Sequence, residues 1–594
     1  MKKVFFVSLL GLLLAGCTKE AGKNPGPDEA GATNYLSVSL VAANSAGTRV
    51  DINNDGHEDF VNGTEDENAV SRIRFYFFDK DGNAVTVWKG SNNSSASYID
   101  WYPTAADFKG GEAGETVERI ANTTLSLNLT SDKGKPTSVL AVINPCASVL
   151  ALEGNEETPG PDLATLRKAI EDFNTGLTDK NFVMSNSVYV AADGKPVYST
   201  ALTDDNFATT LEAAQDNKVK IYVERVVARL DLTVDKKLQE KENKDLTEKV
   251  GSPVYSVSKD YTIDGETSQE VFVQFLGWNV TSTPDKSYLV KEIDPTWKSE
   301  DLFGEESNEI WNTDNYHRSF WAENPLASKF NYQFGTFTKK SEGKNNYFPA
   351  DALTIPAAGP VYLHENAGAA GEDQPQPTKV IIAAQLLNEE GKPFEIAEWA
   401  YRKYTLENLK TVFANEVLRL YKKEGASYVK IDPEDLDFKT AQELETGESN
   451  YYVYAVLASG VDKDDYWYLK VDGVEGDESD KVETNFTSLT SQKANEYLRD
   501  RINHVMVWKG GNTYYYLTIR HLGKNESDPG YWGVVRNHLY KVNISKLEGL
   551  GTPVYNPDEV IHPEQPEGDD SIISAEVKIL QWRIVSQDYD LTWK

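Results

Sequence analysis

Seven histidines are scattered along the 594 residues, at His57, His317, His364, His504, His521, His538 and His562. None falls in a His-Glu-x-x-His pattern, and Gly-x-Ser-x-Gly, a Walker loop and Cys-x-x-Cys are equally missing from the sequence. His364-Glu365 sets a base beside an acid, but neighbours on a strand point to opposite faces, so the pair does not read as a catalytic dyad. Carboxylates are too abundant for any two to stand out as a glycosidase pair. No enzymatic activity and no cofactor are expected. Asp51-x-Asn53-x-Asp55-Gly56 has the opening spacing of a calcium loop, and Asp59 falls at its ninth position. The twelfth position, where a bidentate Glu would close the loop, is Asn62. The simpler reading is an acidic surface loop, and no metal is expected. Trp311 and Trp321, near Tyr316-His317-Arg318, are where a sugar-stacking platform would lie. Trp101, Trp278 and Trp399 stand singly and read as core.

Cysteine occurs twice. Lys2 and Lys3 precede an apolar run over residues 4–15, which is shorter than the roughly 20 residues a spanning helix needs. Charge followed by a short apolar run is a secretory signal. It ends in Leu14-Ala15-Gly16-Cys17, which resembles the bacterial lipobox, with Cys17 as the lipidated residue; the alternative is an ordinary signal peptide with a chance Cys. With Cys17 acylated, Cys146 has no disulfide partner and reads as a small buried residue. Asp and Glu number 93 against 60 Lys and Arg, a net charge of −33. That excludes nucleic acid and an anionic membrane as natural partners, because both need clustered positive charge. A mean hydropathy of −0.51 excludes a polytopic membrane protein. Aromatic residues at 11% exclude a largely disordered chain.

The elements are short strands between turns. Residues 18–34 read as a flexible tether. Residues 35–42 then alternate cleanly, with Leu36, Val38, Leu40 and Ala42 on one face. Residues 72–79 end at Lys80-Asp81-Gly82-Asn83, a hairpin turn. Further strands are expected at 118–129, 138–143, 182–190, 271–280, 379–387, 451–457, 514–521 and 539–544. Residues 219–234 read as one long half-buried strand, and 163–175 and 397–422 as helices. The charged run 236–249, a linker or exposed helix, marks the likeliest domain boundary. Many short strands with few helices point to antiparallel sandwiches.

Both ends carry something unusual. Arg49 stands alone among small residues: no other Lys or Arg lies between Lys23 and Arg72. A trypsin-like protease cutting between Arg49 and Val50 would release tether and first strand together. Residues 552–570 are rich in Pro and acid, an extended spacer. Beyond it Ile573, Ala575, Val577 and Ile579 share one face. The phase then switches to Leu580, Trp582 and Ile584, which implies a bulge, a bend or two separate partners. A hydrophobic strand beyond a spacer must add to a sheet edge, in its own chain or a neighbour's.

Lipobox, first strand, isolated Arg49 and extra C-terminal strand together resemble the fimbrillins of Bacteroidales, the type V pilins. The resemblance runs over nearly the whole chain. It is carried by residues 63–68 (GTEDEN), 182–189 (FVMSNSVY) and 223–230 (VERVVARL), and most specifically by 531–544 and 575–584, which are similar to the shaft subunit of the short fimbriae. The resemblance implies two transthyretin-like antiparallel β-sandwich domains with a few helical insertions. It implies export to the outer membrane as a lipoprotein, with an Arg-specific protease removing the first strand. A donor strand from the next subunit then fills the groove, and the mature protein stands in extracellular fimbriae. On this chain the parts are a signal peptide over 1–16, a lipidated propeptide over 17–49, sandwiches over 50–236 and 237–551, the spacer 552–570 and the donor strand 571–594. The expected partners are copies of the chain, anchor and tip subunits, the protease, and host or bacterial surface receptors. A tip or accessory adhesin, or a surface glycan-binding lipoprotein that keeps its lipid, are the alternatives.

Overall fold

The computed structural model describes residues 34–42, 60–61, 64–89, 95–110, 119–129, 134–153, 160–173, 181–191, 193–257, 260–265, 268–293, 312–313, 318–319, 322–324, 361–366, 377–446, 451–464, 466–470, 485–521, 532–547, 549–559, 561, 572–574 and 582–592. Within them the chain is mainly β, as expected, with short helices between strands.

Three strands organise the first sheet: β1 (Asn34–Ala42), β2 (Arg119–Leu127) and β3 (Val219–Arg225). The sheet runs Tyr98–Trp101, Ile73–Phe78, Ser138–Ile143, Met184–Asn186, β3, β1, β2, Phe108–Gly110. One face closes over its own core, in which Leu36, Val38 and Leu40 meet Phe75, Phe77 and Ile221. The alternation that builds it is visible in β3, where Val219, Ile221 and Val223 are buried and Lys220 is exposed.

The second sheet holds β4 (Ala228–Val234), β5 (His538–Leu547) and β6 (Trp582–Thr592). Its order is Phe60–Val61, β6, β5, β4, Val361–Leu363, and β5 is parallel to both of its neighbours. Leu232, Tyr540 and Val542 from this sheet share a core with Trp278, Ile382 and Leu517 from a third, which runs Val254–Ser256, Phe272–Thr281, Lys379–Leu387, Asn512–Thr518, Thr552–Pro553. Two more sheets enclose a separate core around Phe438, Trp467 and Val507. Sheet on sheet is how antiparallel proteins bury apolar faces.

Residues 219–234 are two strands rather than one. The chain leaves the first sheet at Arg225 and enters the second at Ala228. The buried row changes phase with it, from Val219, Ile221 and Val223 to Ala228, Leu230, Leu232 and Val234. Val226 and Val227 absorb the shift. Both are fully buried in a core between the two sheets, and their backbone bonds leave the ladders: Val226 N–H donates to Val183 (3.1 Å) and Val227 accepts from Asn537 N–H (2.8 Å).

Residues 397–422 also differ from the expected helix. A hairpin of Ile396–Trp399 and Arg402–Tyr404 comes first, and helix follows only from Leu406 to Val417. The two turn residues, Ala400 and Tyr401, have φ of 50° and 62°. A two-residue hairpin needs positive φ at both positions, and neither residue type announces it. The charged run after Val234 forms two short helices, Lys236–Gln239 and Lys244–Val250, capped by Asp235 and Asn243. Of the described residues 163–173, only Leu163–Arg167 is helical, started by Asp162, which accepts from Thr165 N–H.

The crossover yields a test. Val226→Asp places a charge in a dry core and should destabilise the protein by at least about 3 kcal/mol. Lys220→Asp, at an exposed position of the same segment, should change it by less than about 0.5 kcal/mol. Urea unfolding of both variants checks the contrast.

Candidate assembly site

β1 is laddered on both sides. It runs antiparallel to β2 from Asn34↔Leu127 to Val41↔Ile120. On its other side it is antiparallel to Phe207–Ala208 at Tyr35 and Leu36, then parallel to β3 from Val38↔Val219 to Ala42↔Val223. Leu36 and Val38 are fully buried and Leu40 nearly so. Ser37 and Ser39 face the other way and are also buried; Ser37 Oγ donates to the Thr123 carbonyl at 3.4 Å. Without β1, β2 and β3 would bound an open slot with two unpaired edges. Burial of the three apolar side chains contributes roughly 5–9 kcal/mol gross, on the scale of a whole domain's stability of about 5–15 kcal/mol. Ala42 lies in the ladder. Cys17, Arg49, Val50 and the acidic loop of Asp51, Asn53, Asp55 and Asp59 lie outside the described residues.

The C-terminal segment forms two strands. Ile572–Ser574, which includes Ile573, pairs antiparallel with the far end of β6. Trp582 and Ile584 lie in β6, where Ile584 is the partner of Leu539, and the ladder to β5 continues to Leu547↔Leu591 across an irregularity. Among the described residues, the other side of β6 meets only Phe60–Val61 and that short returning strand. Ala575, Val577, Ile579 and Leu580 lie outside the described residues. β6 therefore has one full ladder where β1 has two, and that ladder is parallel, the slightly weaker kind.

At the crossover from β3 to β4 sits a buried polar node that chemistry-minded reading of the sequence missed. Glu67 is fully buried. Its carboxylate accepts from Thr64 N–H (2.7 Å), Arg229 Nη1 (2.9 Å) and the Tyr362 hydroxyl (2.7 Å). Thr64 Oγ1 accepts from Glu67 N–H in return, the reciprocal pattern of a capping box. Arg225 donates to the Glu67 carbonyl, to Asn68 and to Asn537 Oδ1. Arg225 and Arg229 flank the crossover. Two further fully buried ion pairs lie nearby in sequence: Glu224 with Lys291 (2.9 Å) and Glu365 with Arg536 (2.7 Å). Burial alone would push the Glu67 carboxyl up. Arg229, the Tyr362 hydroxyl, the Thr64 amide and Arg225 outweigh it, and hold the group below its ordinary value. Thr64-x-x-Glu67 is a readable capping-box signal; its arginine partners, far along the chain, are not.

The remaining candidates are structural. His364 is buried, its Nε2 accepting from Phe173 N–H at 3.1 Å. Its neighbour Glu365 is committed to Arg536. Cys146 is half-buried, with Sγ 3.2 Å from Ser148 Oγ. Trp278 is fully buried, and Trp101 and Trp399 pack against cores. Among the described residues no group of three or more His, Cys, Asp or Glu could hold a metal, and no helix is long and apolar enough to cross a membrane.

Residues 506–588 match the model of the fimbrillin C-terminal region, described as major fimbrial subunit protein type IV. Over this region the chain is similar to the fimbrillins. No match is found among curated protein sequences. Among solved structures, the chain is similar to a fimbrilin of Porphyromonas gingivalis at 11% identity and TM-score 0.31, covering 90% of this chain and 94% of that one. The tip fimbrial protein Mfa3 of the same organism, with a C-terminal truncation, gives 11% and 0.25 over 86% and 95%. A fimbrial assembly protein of Parabacteroides distasonis gives 12% and 0.25 over 60% and 96%. The fimbrillin region contributes β5, β6 and, at the turn into β5, Arg536 and Asn537, so two of its side chains reach the buried polar groups around the crossover.

Because the Glu67 carboxyl is held below its ordinary value, its contribution is present above about pH 4.3, the usual glutamate value, and is lost as pH falls through the folded-state value. Glu67→Gln should cost about 1.5–3 kcal/mol at pH 7, because Arg229 and Tyr362 lose a charged acceptor, although Arg229 keeps its two bonds to Asp231 (2.8 and 2.9 Å). The difference should shrink as pH falls below that ordinary value. Calorimetric melting of both proteins from pH 3 to 7 checks it; equal stability at pH 7 contradicts it.

Proposed function

We propose that the chain is the structural shaft subunit of a surface fimbria, exported as a lipoprotein on Cys17 and cut after Arg49. It polymerises head to tail when a donor strand refills the slot left by β1. The observation that carries this reading is the position of β1 itself: a strand inside a sheet, buried along its apolar row, and connected to the body only through the segment that holds Arg49. The donor is the C-terminal segment 571–594, with Ile573, Ala575, Val577, Ile579, Leu580, Trp582 and Ile584 as its apolar rows. Its single long ladder makes it the strand most easily detached from the body; Thr552–Pro553, Val554 and Ile561 pack on the body, so the spacer is shortened to residues 562–570. The first sandwich extends from 50 to the crossover at Arg225 and the second from Ala228 onward, because β4 pairs with β5 and not with the first sheet.

The physics favours insertion over surface docking. A chain of net charge −33 repels its copies, so long-range electrostatics opposes assembly. An inserted strand contributes a main-chain ladder and an apolar row at once. The row must keep β1's period of two, since a one-residue slip turns polar residues inward. A donor from one copy in the slot of the next is a heterologous contact that does not close, so the product is a filament. A tip subunit needs the slot but no donor; the strand beyond the spacer favours the shaft.

Arg49→Ala should leave the protein anchored and monomeric, with the N-terminal segment still attached. N-terminal sequencing and electron microscopy of surface material check this, and normal filaments would overturn it. Truncation after Asp570 should leave a folded subunit that accepts a donor but gives none. Loss of folding in that variant, read by circular dichroism, would instead make the strand an obligatory part of its own sheet.

A further inference from the structure

One sheet carries an outer face whose chemistry contradicts the rest of the chain. Its strands run Ser427–Lys430, Leu420–Glu424, Trp467–Lys470, Phe486–Leu489, all antiparallel. Leu420, Trp467 and Leu489 face the core. The register puts Tyr421, Tyr428, Tyr468 and Phe486 on the opposite face, and all four are half-buried. Tyr428 stacks on Phe486 with ring centroids 4.2 Å apart and an interplanar angle of 7°. Tyr421 meets Phe486 edge-on at 5.1 Å, and Tyr428 meets Tyr468 at 5.0 Å. The same face carries Lys423, Lys430 and Lys470, and Ser488 is its remaining ladder position. Lys423 is exposed, with its ammonium 5.6 Å from the Tyr428 ring centre. No ladder position on this face is acidic, in a chain with 93 acids against 60 bases.

A continuous aromatic surface set with lysines suits an extended, anionic, proline-bearing peptide. Prolines three apart fall on one edge of a polyproline II helix, and such edges dock on aromatic rings. Carboxylates on the other edges would meet the exposed Lys423 ammonium; Lys430 Nζ already donates to the Asn415 carbonyl. The chain itself contains such a peptide: residues 562–570, HPEQPEGDD, hold Pro563 and Pro566 and the four carboxylates of Glu564, Glu567, Asp569 and Asp570, with no Lys or Arg. We propose that this aromatic and lysine face is a docking site for segment 562–570 of a second copy of the chain. It is a place where a strongly acidic partner would meet lysine. Each contact is weak, because exposed ion pairs contribute little, but a filament offers many copies at once. Neither cleavage nor strand exchange is required. Truncation after Asp570 keeps the peptide and removes the donor, so failure of the assembly reading and failure of this one are distinguishable.

The test is fluorescence anisotropy of a labelled synthetic peptide of residues 561–571. The receptor is the full-length chain carrying Glu564→Gln, Glu567→Gln, Asp569→Asn and Asp570→Asn, so that its own segment cannot compete. Saturable binding is expected, falling at least tenfold when the same four changes are made in the peptide, and at least tenfold with Lys423→Glu in the receptor. Lys423 is exposed, so that variant should keep the melting temperature of its parent; Tyr428→Ala tests the aromatic part. Higher salt should weaken binding. No saturation up to about 1 mM, or equal binding to the Lys423→Glu receptor, overturns the proposal. Binding of polygalacturonate at this face without binding of the peptide also overturns it, and assigns the face to an acidic glycan.

Discussion

A carboxylate sealed from water must be matched by positive charge and by hydrogen-bond donors, or the fold around it fails. Glu67 meets that condition with groups drawn from its own turn at Thr64 and from three distant parts of the chain: the arginines flanking the crossover, Tyr362, and, through Arg225, Asn537 at the entrance to β5. The constraint works in both directions. Arg225 ends β3 and Arg229 lies in β4, so satisfying Glu67 fixes how the chain turns from the first sheet into the second. Val226 and Val227 can then fill the dry space between the sheets because the charges on either side are already paired.

The stretches that carry family resemblance acquire a physical meaning at this point. Residues 63–68, 182–189, 223–230 and the part of 531–544 around Asn537 lie far apart in sequence, yet they supply the loop, the Val183 carbonyl, the crossover and the turn that meet there. A node of this kind tolerates substitution badly, since removing one member strands the others without partners. The apolar strands around it need only keep their period and approximate volume.

Most strands could be read from period and turn residues alone. Lys379–Leu387 and Ser138–Ile143 fall where alternation and apolar runs put them. Legibility fails where the signal is long-range. Residues 219–234 keep enough β-branched and alternating character to read as one strand, and only the two-residue change of phase reveals the crossover. The hairpin at 396–404 is hidden because Ala400 and Tyr401 occupy a turn that usually advertises itself with Gly or Asn. The first strand's apolar face was fully legible, as Leu36, Val38 and Leu40 attest. That it lies inside a sheet, between β2 and β3, was not, because pairing partners some 80 and 180 positions away leave no local trace in the sequence.

The two ladders on β1 also have a mechanical meaning. Any strand in that slot, pulled along its own axis, is loaded in shear: the hydrogen bonds to β2 and β3 lie across the force and must give way together. A strand held on one edge and tugged sideways yields instead bond by bond, like a zipper. A slot bounded on both sides by long strands therefore resists an axial pull better than a sheet edge does, which is the property the proposed fibre joint would need. It is also directional, because only a strand running as β1 runs meets β3 in parallel and β2 in antiparallel register.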